Sequence, residues 1–246
     1  PVARSQPMTI ELENERTVTK DISFRINSPK LWSPSDPNLY YLKFKLVKNG
    51  NVLDDIGTEI GIRDIRILQD PAKSAVFLNG KEIKLKGITY VEEHSRSLGT
   101  LSPETIEKDI RLIKTLGANL IRFKYNPPHP YLLKLCDRMG IMAMIELPAY
   151  EVPSNILSID EVEVRMKNIA KNLISVYHNY PSLISWGLGD GIQEDEKNAE
   201  RYFKSISKIF KSGSDKLLYK IVLFGAESIY TEDFDLIGFR HDRKKY

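Results

Sequence analysis

A single cysteine, Cys136, stands in 246 residues, which excludes an internal disulfide and with it the small stapled scaffolds of oxidising compartments. It lies in "YLLKLCDRMG" at helical spacing, where a buried thiol acts as a small apolar side chain. No run of about eighteen apolar residues occurs, so no segment reads as a membrane-spanning helix. Charge of one sign is scarce as well. Thirty-six Lys and Arg against thirty-three Asp and Glu leave a formal +3, without the basic stripe that nucleic acid requires. The closing "RHDRKKY" is a short basic run of the kind that stays solvated. His94, His129, His178 and His241 are scattered and build no H-E-x-x-H pair, and Glu92-Glu93-His94 reads as a solvated loop, so no metal is expected. "GLGDG" has Ile192 where a dinucleotide loop needs its third glycine, and no Walker sequence occurs, so no nucleotide cofactor is expected either. The first residue is Pro1 rather than Met, which reads as an excised or processed product and leaves the compartment open.

What is present divides by rhythm. Residues 1–68 read as strands: "TVTKDISFRI" alternates Val18, Ile22, Phe24 and Ile26 with polar partners, and "LYYLKFKLVKNGNVLDDIGTEIGI" does the same around Asn49-Gly50, a hairpin signal. An antiparallel sandwich is the simplest architecture for that half. Residues 69–246 alternate short apolar strands with amphipathic helices. "VFLNGKEIKLKGITY", "NLIRF", "IMAMIELPAY", "SLISWGL", "LLYKIVLFG" and "FDLIGF" read as strand-bearing stretches. "SPETIEKDIRLIKTLGA", "PYLLKLCDRMG", "IDEVEVRMKNIAKNLISVYHNY" and "NAERYFKSISKIFKSG" read as helices. Ser102 is a predicted N-cap, Pro103 the first helical residue and Gly117 the C-cap. Repeated β-then-α units predict a parallel sheet. A complete eight-unit barrel takes about 250 residues, so a barrel here is a partial one of five or six strands. Its predicted core includes Leu112, Ile113, Leu116, Ile121, Leu132, Leu135, Ile145, Ile184 and Val222.

Five stretches in order resemble one family. "LWSPSDPNLYYLKFKL", "DIGTEIGIRDIRI", "FLNGKEIKLKGITY", "DIRLIKTLGANLIRFKYNPPHPYLLKLCDRMGIMAMIELP" and "YPSLISWGLGD" are similar to landmarks of glycoside hydrolase family 2, the family of β-galactosidases, β-glucuronidases and β-mannosidases. The resemblance implies an immunoglobulin-like β-sandwich followed by a (β/α)8 TIM-type barrel, here partial, and retaining hydrolysis of a β-glycosidic bond. Retention needs two carboxyl groups about 5–5.5 Å apart, both projecting from the C-terminal ends of barrel strands. The resemblance puts the family's proton donor, the Glu of an Asn-Glu pair, at Gly191, with Asp190 on the Asn. Asp190 is then the remaining candidate catalytic carboxylate. It stands one position away on a shorter side chain, a displacement that costs about a hundredfold, and a turn aspartate beside glycine is its plainer role. Glu194 and Glu196 fall in the polar first turn of a helix. The family nucleophile belongs to a seventh strand, beyond Tyr246; Glu227 is the late carboxylate that would face the barrel mouth.

The resemblance further assigns substrate contacts to Glu92 and Glu93, with Val91 at a position usually His, to Arg122, to Tyr125 where His is usual, to Glu146 and to Trp186. Tyr90, Tyr125, Tyr150 and Trp186 lie near predicted strand ends, where aromatic faces can stack on sugar rings. Residues that build strands and caps are kept while several that do chemistry are changed. The expectation is a family 2-like protein, a pseudoenzyme or fragment inactive as this chain. The alternative is a non-catalytic carbohydrate-binding or protein-interaction module. The partners expected are carbohydrate, and a second copy or the remainder of a larger chain over the open barrel; neither nucleic acid nor membrane is expected.

Overall fold

The computed structural model describes residues 2–11, 17–70, 73–92, 101–192, 196–223 and 231–240, and the chain divides into two units, Pro1–Lys30 and Leu31–Tyr246. The described residues of the first unit contain neither helix nor strand. "TVTKDISFRI" thus departs from its expected strand. Alternation decides which face is apolar, but a strand needs a neighbour's edge, and no strand among the described residues of this unit offers one. Val18, Ile22 and Phe24 stay about two-fifths exposed.

The second unit opens with an antiparallel hairpin, β1 (Tyr40–Lys48) and β2 (Asn51–Ile60). Asn49 (φ 51°) and Gly50 (φ 80°) turn it, both left-handed as a type I′ turn demands. β3 (Ile65–Asp70), β4 (Lys73–Leu78) and β5 (Lys81–Glu82) form a second antiparallel sheet, whose β4–β5 turn repeats the device at Asn79 (φ 53°) and Gly80 (φ 77°). The Asn79 amide is pinned at both ends, accepting from the Asp64 N–H at 3.0 Å and donating to the Trp32 carbonyl at 2.9 Å.

The third sheet holds six parallel strands in chain order: β6 (Gly87–Tyr90), β7 (Leu120–Phe123), β8 (Met142–Glu146), β9 (Leu183–Asp190), β10 (Leu217–Leu223) and β11 (Leu236–Arg240). Unbroken sequential order belongs to a barrel, since a doubly wound sheet reverses direction at a switch point. The helices between the strands are α1 (Pro103–Thr115), α2 (Pro130–Met139), α3 (Ser154–Leu157), α4 (Asp160–Tyr177) and α5 (Glu196–Gly213). Their ends follow the sequence signals. The Ser102 hydroxyl accepts from the Thr105 N–H at 3.3 Å with Pro103 next in line. Gly117 (φ 79°) follows the C-cap of α1, and Gly140 (φ 65°) ends α2. At Gly140 a Cβ would stand 2.4 Å from the Pro34 carbonyl oxygen, so glycine is required twice over.

Strand alternation sorts the core into two layers. Ile121, Phe123, Ala143, Ile145, Leu183 and Leu218 face outward into the helices. Leu120, Met142, Met144, Ile184, Leu217 and Tyr219 pack with Trp32, Ile65 and Leu78. The β3–β4 sheet thereby plugs the inner face at the strands' N-terminal ends. Trp32 is fully buried, and its indole N–H donates to the Asp137 carbonyl at 2.8 Å. The Arg63 guanidinium ties the plug down, donating to the carbonyls of Pro181 (3.0 Å) and Leu183 (2.6 Å). Two expected core residues are corrected: Leu112 is 59% and Leu116 69% exposed. Helix α1 buries Ile106, Ile110 and Ile113 instead, and these define the inward stripe.

Candidate functional site

At the N-terminal ends of the strands the inward positions are apolar; further along the same faces they become polar or charged. Leu120 is followed two residues on by Arg122, Met144 by Glu146, and Leu217 by Tyr219. The change occurs at the C-terminal ends, where barrel sites assemble. The Arg122 guanidinium joins two strands, donating through Nε to Glu146 Oε1 (2.5 Å) and through Nη2 to Asp190 Oδ2 (2.6 Å). The Tyr219 hydroxyl donates to the same Glu146 oxygen at 2.9 Å. Gly187 leaves room for that bond: a Cβ there would meet Glu146 Cγ at 2.5 Å and the Tyr219 ring at 2.6 Å.

Asp190 is 1% exposed and engages three cations: Arg122, Lys124 at 2.9 Å and Arg240 at 3.1 Å. Burial pushes its carboxyl up, but the hydrogen bonds from Lys124 and Arg122 outweigh it and hold the group below its ordinary value. Asp190 is therefore a carboxylate without a proton to give near neutral pH. At Glu146 burial wins over Arg122 and the carboxyl is raised. Tyr219 is raised by burial and then by Glu146, and stays a hydroxyl.

The next residue, Gly191, has φ +66°, and a Cβ on it would lie 2.9 Å from Arg240 Nη2 and 3.3 Å from Glu151 Cγ. Arg240, reaching in from β11, fills the space beside Gly191 and pairs with Glu151 and Asp190. Glu151 is lowered by hydrogen bonds from Tyr150 and Arg240, and Tyr150 is raised to about 12 by the bond to Glu151. Both cations lie over the Tyr150 ring, Lys124 at 4.5 Å and Arg240 at 5.1 Å from its centroid, and Tyr125 meets that ring edge-on at 4.6 Å. Tyr125 (φ 74°) and Glu151 (φ 52°) hold left-handed backbones despite carrying side chains, a strain that collects at functional sites.

The structure thus brings Arg122, Glu146 and Asp190 into direct contact and sets Tyr125 beside them. Glu92 lies one loop away, accepting from the His129 N–H at 2.9 Å, in a cleft of about 440 Å³ that Lys124 and Tyr125 also line. Trp186 is elsewhere. It is fully buried on the outer face, stacked on Phe210 at 5.1 Å, with its N–H donating to the Ser214 hydroxyl at 3.0 Å. Tyr90 donates to Asp109 at 2.8 Å. Glu93, Glu194 and Glu227 lie outside the described residues, and the side chain of Glu196 is likewise not described. Sequence reasoning missed Lys124, Glu151, Tyr219 and Arg240. Lys124 and Tyr219 continue the inward alternation of strands that were read, so period two could have found them. Among the described residues no group of three His, Cys, Asp or Glu could hold a metal ion, and no helix is long and apolar enough to cross a membrane.

Comparisons with known proteins bear on the family and the fold. A Formosa agariphila protein is 35% identical over 173 residues, 70% of this chain and 20% of its own length. The β-glucuronidase of Bacteroides fragilis is 28% identical over 208 residues, 82% of this chain and 29% of its own. The chain therefore spans less than a third of either relative. Among solved structures, a β-glucuronidase from Ruminococcus gnavus in complex with C6-substituted uronic isofagomine superposes with a TM-score of 0.81 at 20% identity, covering 89% of this chain and 38% of that one. The fold is accordingly a β-sandwich region followed by a partial TIM barrel. The family profile "Glycosyl hydrolases family 2" matches residues 2–63, and "Glycosyl hydrolases family 2, TIM barrel domain" matches residues 71–223. With the barrel profile covering well over half its length, the chain belongs to glycosyl hydrolase family 2.

Proposed function

We propose that the chain carries part of a β-glycoside site at the barrel mouth, binds carbohydrate there, and does not hydrolyse it unaided. In this reading residues 1–68 form the sandwich domain and residues 69–246 the barrel domain. Glu92, Arg122, Tyr125 and Glu146 contact the sugar, while Trp186 belongs to the core. A sugar ligand is supported by the family, by relatives named β-glucuronidase and β-galactosidase, and by the C6-substituted uronic isofagomine in the Ruminococcus gnavus complex.

One observation carries the absence of turnover. Asp190, the carboxylate nearest the expected proton donor, is bound by three cations, and the space beside Gly191 is filled by Arg240. A general acid must hold a proton at working pH, and this arrangement removes it.

Calorimetry with mono- and oligosaccharides at millimolar concentration, run beside assays on a panel of aryl β-glycosides, tests both halves. The expected result is heat of binding without turnover. Turnover that disappears in Asp190→Ala would overturn the inactive reading, and no heat with any sugar would overturn the binding one.

A further inference from the structure

A cleft of about 270 Å³ opens at the end of the barrel opposite the site described above. It lies between β2 of the hairpin and the C-terminal ends of α2 and α4, and Asp137 of α2 is part of its wall. The Asp137 carboxyl binds at Ser182, just before β9, whereas Asp190 ends that strand. The two carboxyls therefore stand a strand's length apart, roughly 25 Å.

Asp137 is 3% exposed. Its Oδ1 accepts from the Ser182 N–H at 2.9 Å, and its Oδ2 has no hydrogen-bond partner among the described residues. The Ser182 hydroxyl, near enough to act on the charge, makes no hydrogen bond either. Holding one N–H takes one oxygen, which Asn or Ser would supply without an ionisable group. A second buried oxygen left without a partner carries a cost that needs an explanation. Burial pushes the carboxyl up to about 7, with Glu59 raising it and Lys216 opposing. A group of that kind in a cleft is a mark of a binding site.

The hairpin side of the cleft carries a second signal. A Cβ on Gly57 would stand 1.9 Å from the Tyr41 hydroxyl and 2.9 Å from its ring, so glycine is what lets that ring lie across β2, and both residues line the cleft. Tyr180 and Asn179 add a phenol and an amide; Tyr180 is raised by burial and then by Asp137. None of these three side chains makes a hydrogen bond among the described residues. The charges balance: Arg138 pairs with Glu59 at 2.9 Å, and Lys134 stands against Asp137. Such a cleft selects neither a cation nor an anion, and offers both donors and acceptors.

We propose that this cleft is a binding site for a neutral polyhydroxylated ring, a monosaccharide or a cyclitol, whose hydroxyls bond to Asp137 and Asn179 while one apolar face lies on Tyr41. Hydroxyls both give and accept, as the carboxyl, amide and phenol require, and aromatic faces take up apolar ring faces. At about 270 Å³ the cleft falls just below the roughly 300–1,000 Å³ of sites for drug-sized ligands, so it takes one ring rather than a chain. It does not depend on the barrel-mouth reading.

The test is a titration of the whole isotope-labelled chain, followed by nuclear magnetic resonance, with methyl β-D-glucoside and, separately, myo-inositol. Expected are saturable shifts of the Gly57, Asn179 and Ser182 amides with a Kd of about 1–10 mM for at least one ring. The tighter of the two tells a sugar from a cyclitol. Tyr41→Ala removes an exposed ring, and Asp137→Asn keeps an oxygen for Ser182 while replacing the open acceptor with a donor. Each should weaken binding about tenfold, with the rest of the spectrum unchanged. No shift at these amides with either ring up to about 50 mM, or shifts that persist in both variants, would overturn the proposal. So would ammonium chloride or sodium phosphate moving the same amides at lower concentration than the rings, which would make this an ion site. Shifts at Tyr125 and Tyr150 report the barrel mouth, so the two readings fail separately.

Discussion

Adding one methyl group at Gly191 would meet the Arg240 guanidinium at 2.9 Å on a backbone held at φ +66°. Gly191→Ala should therefore cost about 1–2 kcal/mol from the left-handed backbone alone, plus whatever Arg240 loses in moving. In an Arg240→Ala background only the backbone part remains. A double-mutant cycle read by urea midpoints should give a coupling of about 0.5 kcal/mol or more, and strict additivity would mean that Arg240 does not hold that space. Asp137 gives a second residue-scale prediction. Burial pushes its carboxyl up to about 7 against the hydrogen bond from the Ser182 N–H at 2.9 Å. An acid raised on folding binds more protons in the native state, so its contribution is fully present below about pH 4 and is lost as pH rises through about 7. Asp137→Asn keeps an oxygen for Ser182 and removes the titration, so it should flatten the fall in stability between those values. Unchanged slopes in urea unfolding at the two pH extremes would refute this. The family resemblance, rather than any local pattern, pointed to Arg122, Glu146 and Asp190, which the structure brings into contact. The resemblance also assigned a sugar contact to Trp186, which the structure buries on the outer face, in a strand whose pairing with β8 shifts register between Ala143 and Met144. A bulge moves side chains to the other face, and alternation cannot announce it.

At the scale of the element, α1 shows how far periodicity reaches. "IRLIKTL" places apolar residues on two faces, so the helix was legible but its buried stripe was not. Ile110 is fully buried and Leu112 is 59% exposed. Ile110→Ala should cost about 2–5 kcal/mol, whereas Leu112→Lys should change stability by no more than about 0.5 kcal/mol. Thermal melts of the two variants decide it, and comparable losses would put Leu112 in a contact that α1 does not show. The hairpins were read from Asn-Gly pairs because a type I′ turn admits few residues at positive φ. "TVTKDISFRI" failed as a strand because its alternation states a preference for a face and contains nothing about a partner edge. Arg240 was hard to find for a related reason. β11 is five residues long, and what brings it to Asp190 is its parallel pairing with β10, set by sheet geometry rather than by local sequence.

Over the whole molecule, burial is uneven. Every residue of β8 and β9 is buried, while β1 and β2 are exposed along most of their length. Native-state hydrogen exchange should therefore rank Met142–Glu146 and Leu183–Asp190 slowest and the hairpin from Tyr40 to Ile60 fastest; a hairpin as protected as the barrel strands would show that something covers it. Fold class was legible at this scale because a change of rhythm from period two to β-then-α units is a long-range signal, robust to errors in single elements. The same unevenness sets how the molecule ages. An Asn-Gly peptide deamidates when the glycine nitrogen attacks the asparagine side-chain carbonyl, which requires that amide to swing freely. Asn79 is clamped between the Asp64 N–H and the Trp32 carbonyl, whereas Asn49 sits at an exposed tip without such a clamp among the described residues. Peptide mapping after prolonged storage at mildly alkaline pH should find the new acid at Asn49 first. Damage would then begin in the part of the chain that the barrel can best spare, and Asn79, whose amide holds Trp32 in place, would be chemically sheltered for as long as the barrel stays folded.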